Sequence, residues 1–308
     1  MTFRIVAGAI ALAIVFGAIW ADAAMGVAWC FGGLTLLGAV VGSHEVCVMA
    51  RRTGVRPWTG FAIAGTVALV LIMILRASHR GSVFADVPLH AVWLGFVMAV
   101  LLAWLVRGRG PEDIADVAVT IFVSSYLGGL AAHLVALEGL RFPALVLPRS
   151  LAEVPQLLDP PGLRPSAGAW ALVWTLATAK SADIFAYFTG KAVGRRPLAP
   201  EISPKKTIEG ALGGLVGSVV VGLALKPLAG SAGASLSWGA TIGFALCCSA
   251  ACQLGDLVES RLKRRAGVKD SGAFLPEYGG FLDMVDGLIF AAPVGYAFLS
   301  VCGDAAGP

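Results

Sequence analysis

The sequence is poor in charged residues, and this scarcity is its most informative bulk property. Only 14% of the 308 residues are Asp, Glu, Lys or Arg, whereas soluble domains contain roughly 25%. Hydrophobic residues make up 57% of the chain, and the mean hydropathy is +0.82. This composition excludes an ordinary soluble domain and predicts a polytopic membrane protein.

Several common site patterns are missing as well. The six cysteines lie in or beside apolar runs and have neither CxxC nor Cys/His zinc spacing, which favours packing roles. His44 and Glu45 lack the second His of a zinc-protease helix because residue 48 is Val. There is no Gly-x-x-x-x-Gly-Lys-Ser/Thr loop, which excludes P-loop chemistry. Basic and aromatic residues do not interleave as in nucleic-acid binders, so no nucleic-acid partner is expected.

Nine apolar runs predict the fold class, which is an all-α, polytopic membrane bundle of about nine transmembrane helices. The runs cover approximately residues 5–20, 26–48, 60–75, 88–106, 114–137, 168–188, 211–225, 236–254 and 288–302. A spanning helix needs about 20 apolar residues, so the shorter runs must recruit flanking residues. The first run resembles a secretory signal because Arg4 precedes it and Ala21-Asp-Ala23 follows, but the later spans favour an uncleaved helix.

A long connection rich in proline separates the chain into three predicted parts. These are the N-terminal transmembrane helices (1–137), the Pro-rich outer connection (138–167) and a C-terminal catalytic membrane domain (168–308). Within the last part, Gly210/Gly214 and Gly213/Gly217, like Gly239/Gly243, have the spacing that lets neighbouring helices approach closely.

The Lys and Arg residues are distributed unequally between alternate connections. With the N-terminus inside, 17 of the 23 fall on one side, which the positive-inside rule assigns to the cytoplasm. The two most basic loops, 189–210 and 255–287, lie on that side, where a cytoplasmic nucleotide has access to them.

Segment 255–287 holds eleven charged residues between two hydrophobic runs, and such a concentration beside a membrane is a candidate functional site. On a helix, Asp256, Glu259, Ser260 and Lys263 share one face. Asp283 and Asp286 are three residues apart and can converge on one point, so we expect them to bind a hard cation together with Asp256. Lys263, Arg264 and Lys269 place positive charge beside this site, which is typical of polyphosphate binding.

A second constellation begins inside the sixth run. Lys180, Asp183 and Tyr187 lie three and four residues apart, and Lys180 and Asp183 could simply neutralise each other. Ser203-Pro204 has the pattern of a helix start, with Ser as the N-cap and Pro at the first position. Lys205, Lys206 and Thr207 would then occupy the first turn, where ammonium groups and free N–H groups bind an anion; a lipid-headgroup anchor is the alternative.

Both segments resemble the signature of the phosphatidate cytidylyltransferase (CDP-diacylglycerol synthase) family. The first reads Ser260-Arg-Leu-Lys263-Arg264, Lys269-Asp270 and Gly279-Gly280-Phe-Leu-Asp283-Met-Val-Asp286. The second matches at Asp183, Ala186, Tyr187, Gly190, Lys191, Ser203 to Thr207, Glu209 and Gly210. The resemblance covers about residues 170–300. Tyr278 and Met284 depart from it, standing where the family usually has His and Arg.

The resemblance implies transfer of CMP from CTP to phosphatidic acid, giving CDP-diacylglycerol and pyrophosphate. It implies Mg²⁺, or Mg²⁺ with a second cation, on Asp256, Asp283 and Asp286, with Lys263 and Asp183 as further catalytic residues. The expected substrate- and phosphate-binding residues are Ser203, Lys205, Lys206, Thr207, Glu209, Ser260, Arg264, Lys269 and Tyr187. It also suggests a homodimer in the bacterial inner membrane whose active site faces the cytoplasm.

Two alternatives stay open at the level of sequence. One is a CTP-dependent enzyme that acts on another membrane lipid phosphate, such as that of a polyprenol. The other is a non-catalytic, transporter-like protein whose intramembrane charges form an ion path. The charges cluster in two loops rather than at mid-helix, which disfavours transport.

Overall fold

The computed structural model describes residues 2–78, 87–107, 113–142, 166–272 and 279–304, most of which are helical. The first half contains α1 (Thr2–Met25), α2 (Cys30–Arg52), α3 (Thr59–Ser78), α4 (Leu89–Arg107), α5 (Asp113–Val123), a π-helical turn (Ser124–Gly129) and α6 (Leu130–Glu138). The second half contains α7 (Ala167–Val193), β1 (Pro197–Ala199), β2 (Ser203–Thr207), α8 (Ile208–Leu225), α9 (Gly230–Ser235), α10 (Trp238–Arg265) and α11 (Leu282–Asp304).

The all-α membrane architecture predicted from the sequence is confirmed. Within the described ranges, eight helical segments are long and apolar enough to cross a membrane, and one of them is formed by α5, the π turn and α6 together. The sixth apolar run of the sequence forms α7, which has 27 residues but carries Lys180 and Asp183 in its second half. Residues 143–165, which form most of the predicted outer connection, lie outside the described residues.

Helices α7 and α8 pack closely because glycines line their contact. A Cβ atom placed on Gly210 would lie 2.8 Å from the carbonyl oxygen of Ala186, and one on Gly214 would lie 2.8 Å from that of Ala182. Both distances are shorter than a van der Waals contact, so only glycine permits this approach. The predicted packing role of the Gly210/Gly214 pair is confirmed, whereas Gly239 faces open space.

Polar side chains cap the starts of α2 and α10. Asp22 of α1 is 1% exposed, and its carboxylate accepts hydrogen bonds from the backbone N–H groups of Cys30 (2.8 Å) and Phe31 (2.7 Å) at the start of α2. Ser237 caps α10 by accepting from the N–H of Ala240 at 3.1 Å. Each cap satisfies donors that a helix start leaves unpaired.

The two halves of the chain share one core. Helix α6 packs against both α7 and α11, and the ring of Tyr126 in the π turn lies 5.9 Å from that of Phe290 in α11. Within the second half, α10 packs against α7, α8 and α11, and Trp174 of α7 lies 4.7 Å from Phe244 of α10. Helix α10 is therefore central to the second half, and its C-terminal part carries the first charged residues of segment 255–287.

The α7–α8 contact gives a test of the packing. We expect Gly214→Ala to destabilise the protein by about 1–3 kcal/mol, because the added methyl group forces the two backbones apart. Gly239→Ala is the matched control, since its methyl group meets no atom within 4 Å. Thermal unfolding of the detergent-solubilised protein measures both, and an equal midpoint for the two variants would contradict the close packing.

Candidate active site

The candidate site lies where α10 and α11 approach each other most closely. A Cβ atom on Gly255 would lie 2.5 Å from the carbonyl oxygen of Asp286, and one on Gly287 would lie 2.5 Å from Sγ of Cys252. These two glycines let the helices touch at backbone distance. The side chains that flank them, Asp256 on α10 and Asp286 on α11, therefore come together.

Three carboxylates meet at this contact. Asp256, Glu259 and Asp286 each offer an oxygen, and these oxygens all lie within 4.8 Å of one another. Glu259 is completely buried and Asp286 is 8% exposed. Nζ of Lys263 lies 2.5 Å from Oε2 of Glu259 and forms an ion pair with it, and the carboxyl group of Asp283 also interacts with Glu259.

Asp283 lies beside this group and not in it. Its Oδ1 pairs with Nζ of Lys263 at 2.6 Å. Its Oδ2 accepts from the N–H groups of Ser271 (2.9 Å) and Gly280 (2.7 Å) and lies 3.0 Å from the hydroxyl oxygen of Ser271. Because α10 and α11 run in opposite directions, Asp283 is level with Lys263, one turn away from the Asp256–Asp286 contact. Among the described residues, the third member of the carboxylate group is Glu259 and not the expected Asp283.

A cavity of about 420 Å³ opens beside the carboxylates, between α7, the β1–β2 hairpin, α8 and α10. Its lining includes Asp183, Tyr187, Lys205, Lys206, Thr207 and Asp256. The ammonium group of Lys206 pairs with Oδ2 of Asp256. This ion pair joins the two constellations, which are separated by about fifty residues in the sequence.

The predicted helix start at Ser203 is wrong. Residues Ser203–Thr207 form strand β2, which pairs antiparallel with β1, and α8 begins at Ile208. Thr207 is the N-cap, since its hydroxyl accepts from the N–H of Gly210 at 3.1 Å. The hairpin satisfies the backbone of the segment without a helical turn, and it still places Lys205 and Lys206 at the cavity.

The other residues expected at the site have varied positions. Glu209 accepts hydrogen bonds from the N–H groups of Arg195 (3.0 Å) and Arg196 (3.2 Å), so it ties the hairpin to α8. Ser260 donates to Oδ1 of Asp256 at 3.3 Å. Arg264 is exposed and donates to the carbonyl oxygen of Ile202 at 3.3 Å, and Lys269 is exposed on the loop after α10. Tyr278 lies outside the described residues.

Lys180 and Asp183 form the ion pair that the sequence allowed, with Nζ 3.2 Å from Oδ2. The thiol of Cys252 also approaches Oδ1 of Asp183, at 3.7 Å. Lys180 is near enough to Asp286 to interact electrostatically with it. Lys180 and Asp183 therefore do neutralise each other, and they do so beside the group formed by Asp256, Glu259 and Asp286.

Sequence reasoning missed several residues near the site. Gln253 lines the cavity and has no signal in the sequence. Lys191 also lines it, but the sequence marks it only as part of the family motif, and it marks Glu259 only as sharing a helix face. Tyr126 has a buried hydroxyl without a partner among the described residues, close enough to Glu259 and Asp286 to interact electrostatically. Helical periodicity places Glu259 on the same face as Asp256. It cannot indicate Tyr126, which lies far from both residues in the sequence.

The buried ion pairs of Lys263 predict a large effect on stability. We expect Lys263→Met to lower the free energy of unfolding by about 3 kcal/mol or more, because two enclosed carboxylates lose their counter-charge. The double variant Lys263→Met/Asp283→Asn should regain part of this loss, since one of the two charges is then removed. Denaturation of the purified protein measures both effects.

Arg265→Met is the control for this measurement, because Arg265 is the exposed basic residue two positions along the same helix. If Lys263→Met and Arg265→Met proved equally stable, the ion pairs of Lys263 would not hold the two helices together.

Comparison with known proteins places this geometry in context. The sequence model described as "Cytidylyltransferase family" matches residues 2–302. The chain is 33% identical to a phosphatidate cytidylyltransferase of Synechocystis sp., over 97% of this chain and 96% of that protein. A phosphatidate cytidylyltransferase of Brucella abortus is 46% identical over 42% of this chain and 47% of its own length. The uncharacterized protein YnbB of Escherichia coli is 39% identical over 79% of each chain.

Proposed function

The chain belongs to the cytidylyltransferase family, and we propose that it is a nucleotidyltransferase that makes CDP-diacylglycerol from CTP and phosphatidic acid. Similarity to a phosphatidate cytidylyltransferase along almost the whole of both chains is the observation that carries this function. The protein is a multi-pass membrane protein, which gives it direct access to a lipid substrate. Its expected place in phospholipid biosynthesis follows from the product.

The reaction is a displacement at phosphorus. A phosphate oxygen of phosphatidic acid forms a bond to the α-phosphorus of CTP, the bond from that phosphorus to the bridging oxygen of the β-phosphate breaks, and pyrophosphate leaves with the electron pair. The attacking oxygen is already anionic at neutral pH, so no general base is needed. The main obstacle is repulsion between two anions, which positive charge and alignment overcome.

The carboxylate group fits a divalent cation. Asp256, Glu259 and Asp286 supply the oxygen ligands that Mg²⁺ prefers, and the completely buried Glu259 shares the ammonium group of Lys263 with Asp283. Such a buried group is costly unless a cation or proton compensates it. We assign Mg²⁺ to these three side chains, with Asp283 placed beside them through Lys263. When bound, the cation would screen the negative charge of the triphosphate and help to align it.

Charge balance supports the same assignment and leaves open a second cation. Among the described residues, these ion pairs and close charges join five carboxylates, those of Asp183, Asp256, Glu259, Asp283 and Asp286, to three ammonium groups, those of Lys180, Lys206 and Lys263. A surplus of negative charge of this kind repels a triphosphate. One divalent cation would neutralise this surplus, and a second would reverse its sign.

The lysines of the hairpin are the proposed phosphate ligands. Lys205 and Lys206 reach the cavity from β2, and Lys191 reaches it from the end of α7. Lys206 already pairs with Asp256, so a phosphate bound by Lys206 lies next to the carboxylate group. Ser203, Thr207, Arg264, Lys269 and Tyr187 stay predictions as further substrate contacts, and so does a homodimer.

The orientation of the site follows from the distribution of basic residues. The hairpin and the inner end of α10 carry the most basic connections, and the positive-inside rule places them in the cytoplasm, where CTP is available. In a bacterium this corresponds to the cytoplasmic face of the inner membrane. The phosphate of phosphatidic acid would enter from the same leaflet.

The direct test of the function is an assay of purified protein with CTP labelled at the α-phosphate. We expect the label to appear in a lipid product only when phosphatidic acid is supplied in the micelle. A polyprenyl phosphate in the same assay tests the other lipid acceptor. Labelling of the polyprenyl phosphate alone would mean that it, and not phosphatidic acid, is the acceptor. If neither lipid were labelled, the proposed function would be contradicted.

Removal of a single carboxylate tests the cation site. We expect Asp256→Asn, Glu259→Gln and Asp286→Asn each to lower turnover by roughly two orders of magnitude or more, as loss of a directed electrostatic contact does, and excess EDTA to abolish it. Glu201→Gln is the control. Glu201 is an exposed carboxylate between β1 and β2, and it forms a 3.9 Å ion pair with Arg261. Full turnover in EDTA would exclude the proposed cation.

A further inference from the structure

Glu45, in the first half of the chain, contacts the loop that begins α11. Its side chain is 7% exposed. Oε1 accepts from the N–H of Phe281 at 2.8 Å, and Oε2 accepts from the N–H of Leu282 at 2.9 Å. These N–H groups lie at the start of α11, where a helix has unpaired donors and a partial positive charge. Glu45 therefore caps α11 from another helix, α2.

The loop is shaped around this carboxylate. A Cβ atom on Gly272 would lie 2.5 Å from Oε1 of Glu45, and one on Gly280 would lie 2.7 Å from it. On the same face of α2, a Cβ atom on Gly38 would lie 2.1 Å from Cζ of Phe281. The ring of Phe281 therefore lies over Gly38. The backbone of Gly272 and Gly280 lies against the carboxylate of Glu45, at positions where a larger residue would not fit.

A chain of hydrogen bonds connects Glu45 to the carboxylate group. The hydroxyl of Ser271 lies 3.0 Å from Oε2 of Glu45 and 3.0 Å from Oδ2 of Asp283. The one hydroxyl hydrogen cannot serve both carboxylates. Because the backbone N–H of Ser271 already donates to Asp283 at 2.9 Å, we take the hydroxyl to donate to Glu45. Asp283 then holds Lys263, and Lys263 holds Glu259.

We propose that Glu45 is a positioning residue for the transfer reaction. It fixes the first turn of α11 and, through Ser271, the orientation of Asp283 and Lys263. The same turn sets where Asp286 meets Asp256 and Glu259. This inference rests on the proposed function, and it makes α2 part of the reaction's framework.

A purely structural cap would explain the two backbone contacts equally well, and Asp22 provides the matched control. Asp22 is also a buried carboxylate that accepts from two successive N–H groups at the start of a membrane helix. It lines a separate cavity together with Glu138 and Ser166. Glu45→Gln and Asp22→Asn make the same chemical change, because each puts an amide NH₂ against a backbone donor.

The experiment measures steady-state kinetics and thermal unfolding of full-length wild type, Glu45→Gln and Asp22→Asn in detergent. We expect Glu45→Gln to lower kcat by roughly tenfold to a hundredfold, the equivalent of one charged hydrogen bond. Its KM for CTP should change by less than about threefold, because the lost contact serves the reaction step and not uniform binding. Asp22→Asn should keep kcat within about twofold, per folded molecule, even if it unfolds at a lower temperature.

Ser271→Ala keeps the proposal testable if Glu45→Gln does not fold, because it removes only the bridging hydroxyl. We expect Ser271→Ala to lower kcat as well, and the double variant with Glu45→Gln to be little worse than Glu45→Gln alone, since both act through one chain of contacts. Full kcat in both Glu45→Gln and Ser271→Ala, or equal loss in Glu45→Gln and Asp22→Asn, would overturn the positioning role. An inactive wild type would instead count against the proposed function.

Discussion

The burial of negative charge between α10 and α11 is the constraint on which the rest of the site depends. Gly255 and Gly287 bring the two backbones into contact, and Asp256, Glu259 and Asp286 are thereby enclosed together. Carboxylates so placed repel each other strongly, since little water is present to screen them. The ammonium groups that lie beside the carboxylates offset this repulsion.

Three lysines on different elements supply positive charge beside the carboxylates. Lys263 lies on α10 itself, Lys206 reaches in from the hairpin before α8, and Lys180 approaches from α7. Because Lys206 also faces the cavity, binding of a phosphate there would alter the charge around Asp256. The cavity and the carboxylate group are thus electrostatically one candidate site, and the first half of the chain contacts the loop beside it through Glu45.

The sequence predicts the helices and the two charged segments well, because hydrophobic runs and motif spacing are local properties. It does not predict which carboxylates meet, since that depends on the register of α10 against α11. For this reason Glu259, and not Asp283, lies within 4.8 Å of Asp256 and Asp286 in the structure. The Ser203-Pro204 pattern of a helix start is equally local, and pairing with residues 197–199 overrides it. Glu45 contacts Ser271 across 226 residues, a separation at which spacing carries no information.

The measurement that tests the central claim most directly is the location of a bound Mn²⁺ ion by anomalous scattering from crystals of the protein. Mn²⁺ takes the same oxygen ligands as Mg²⁺, and its position does not depend on turnover. The account predicts an anomalous peak between Asp256, Glu259 and Asp286, with Lys263 still paired to Asp283. A peak coordinated by Asp283, or none near these three carboxylates at a saturating Mn²⁺ concentration, would contradict it.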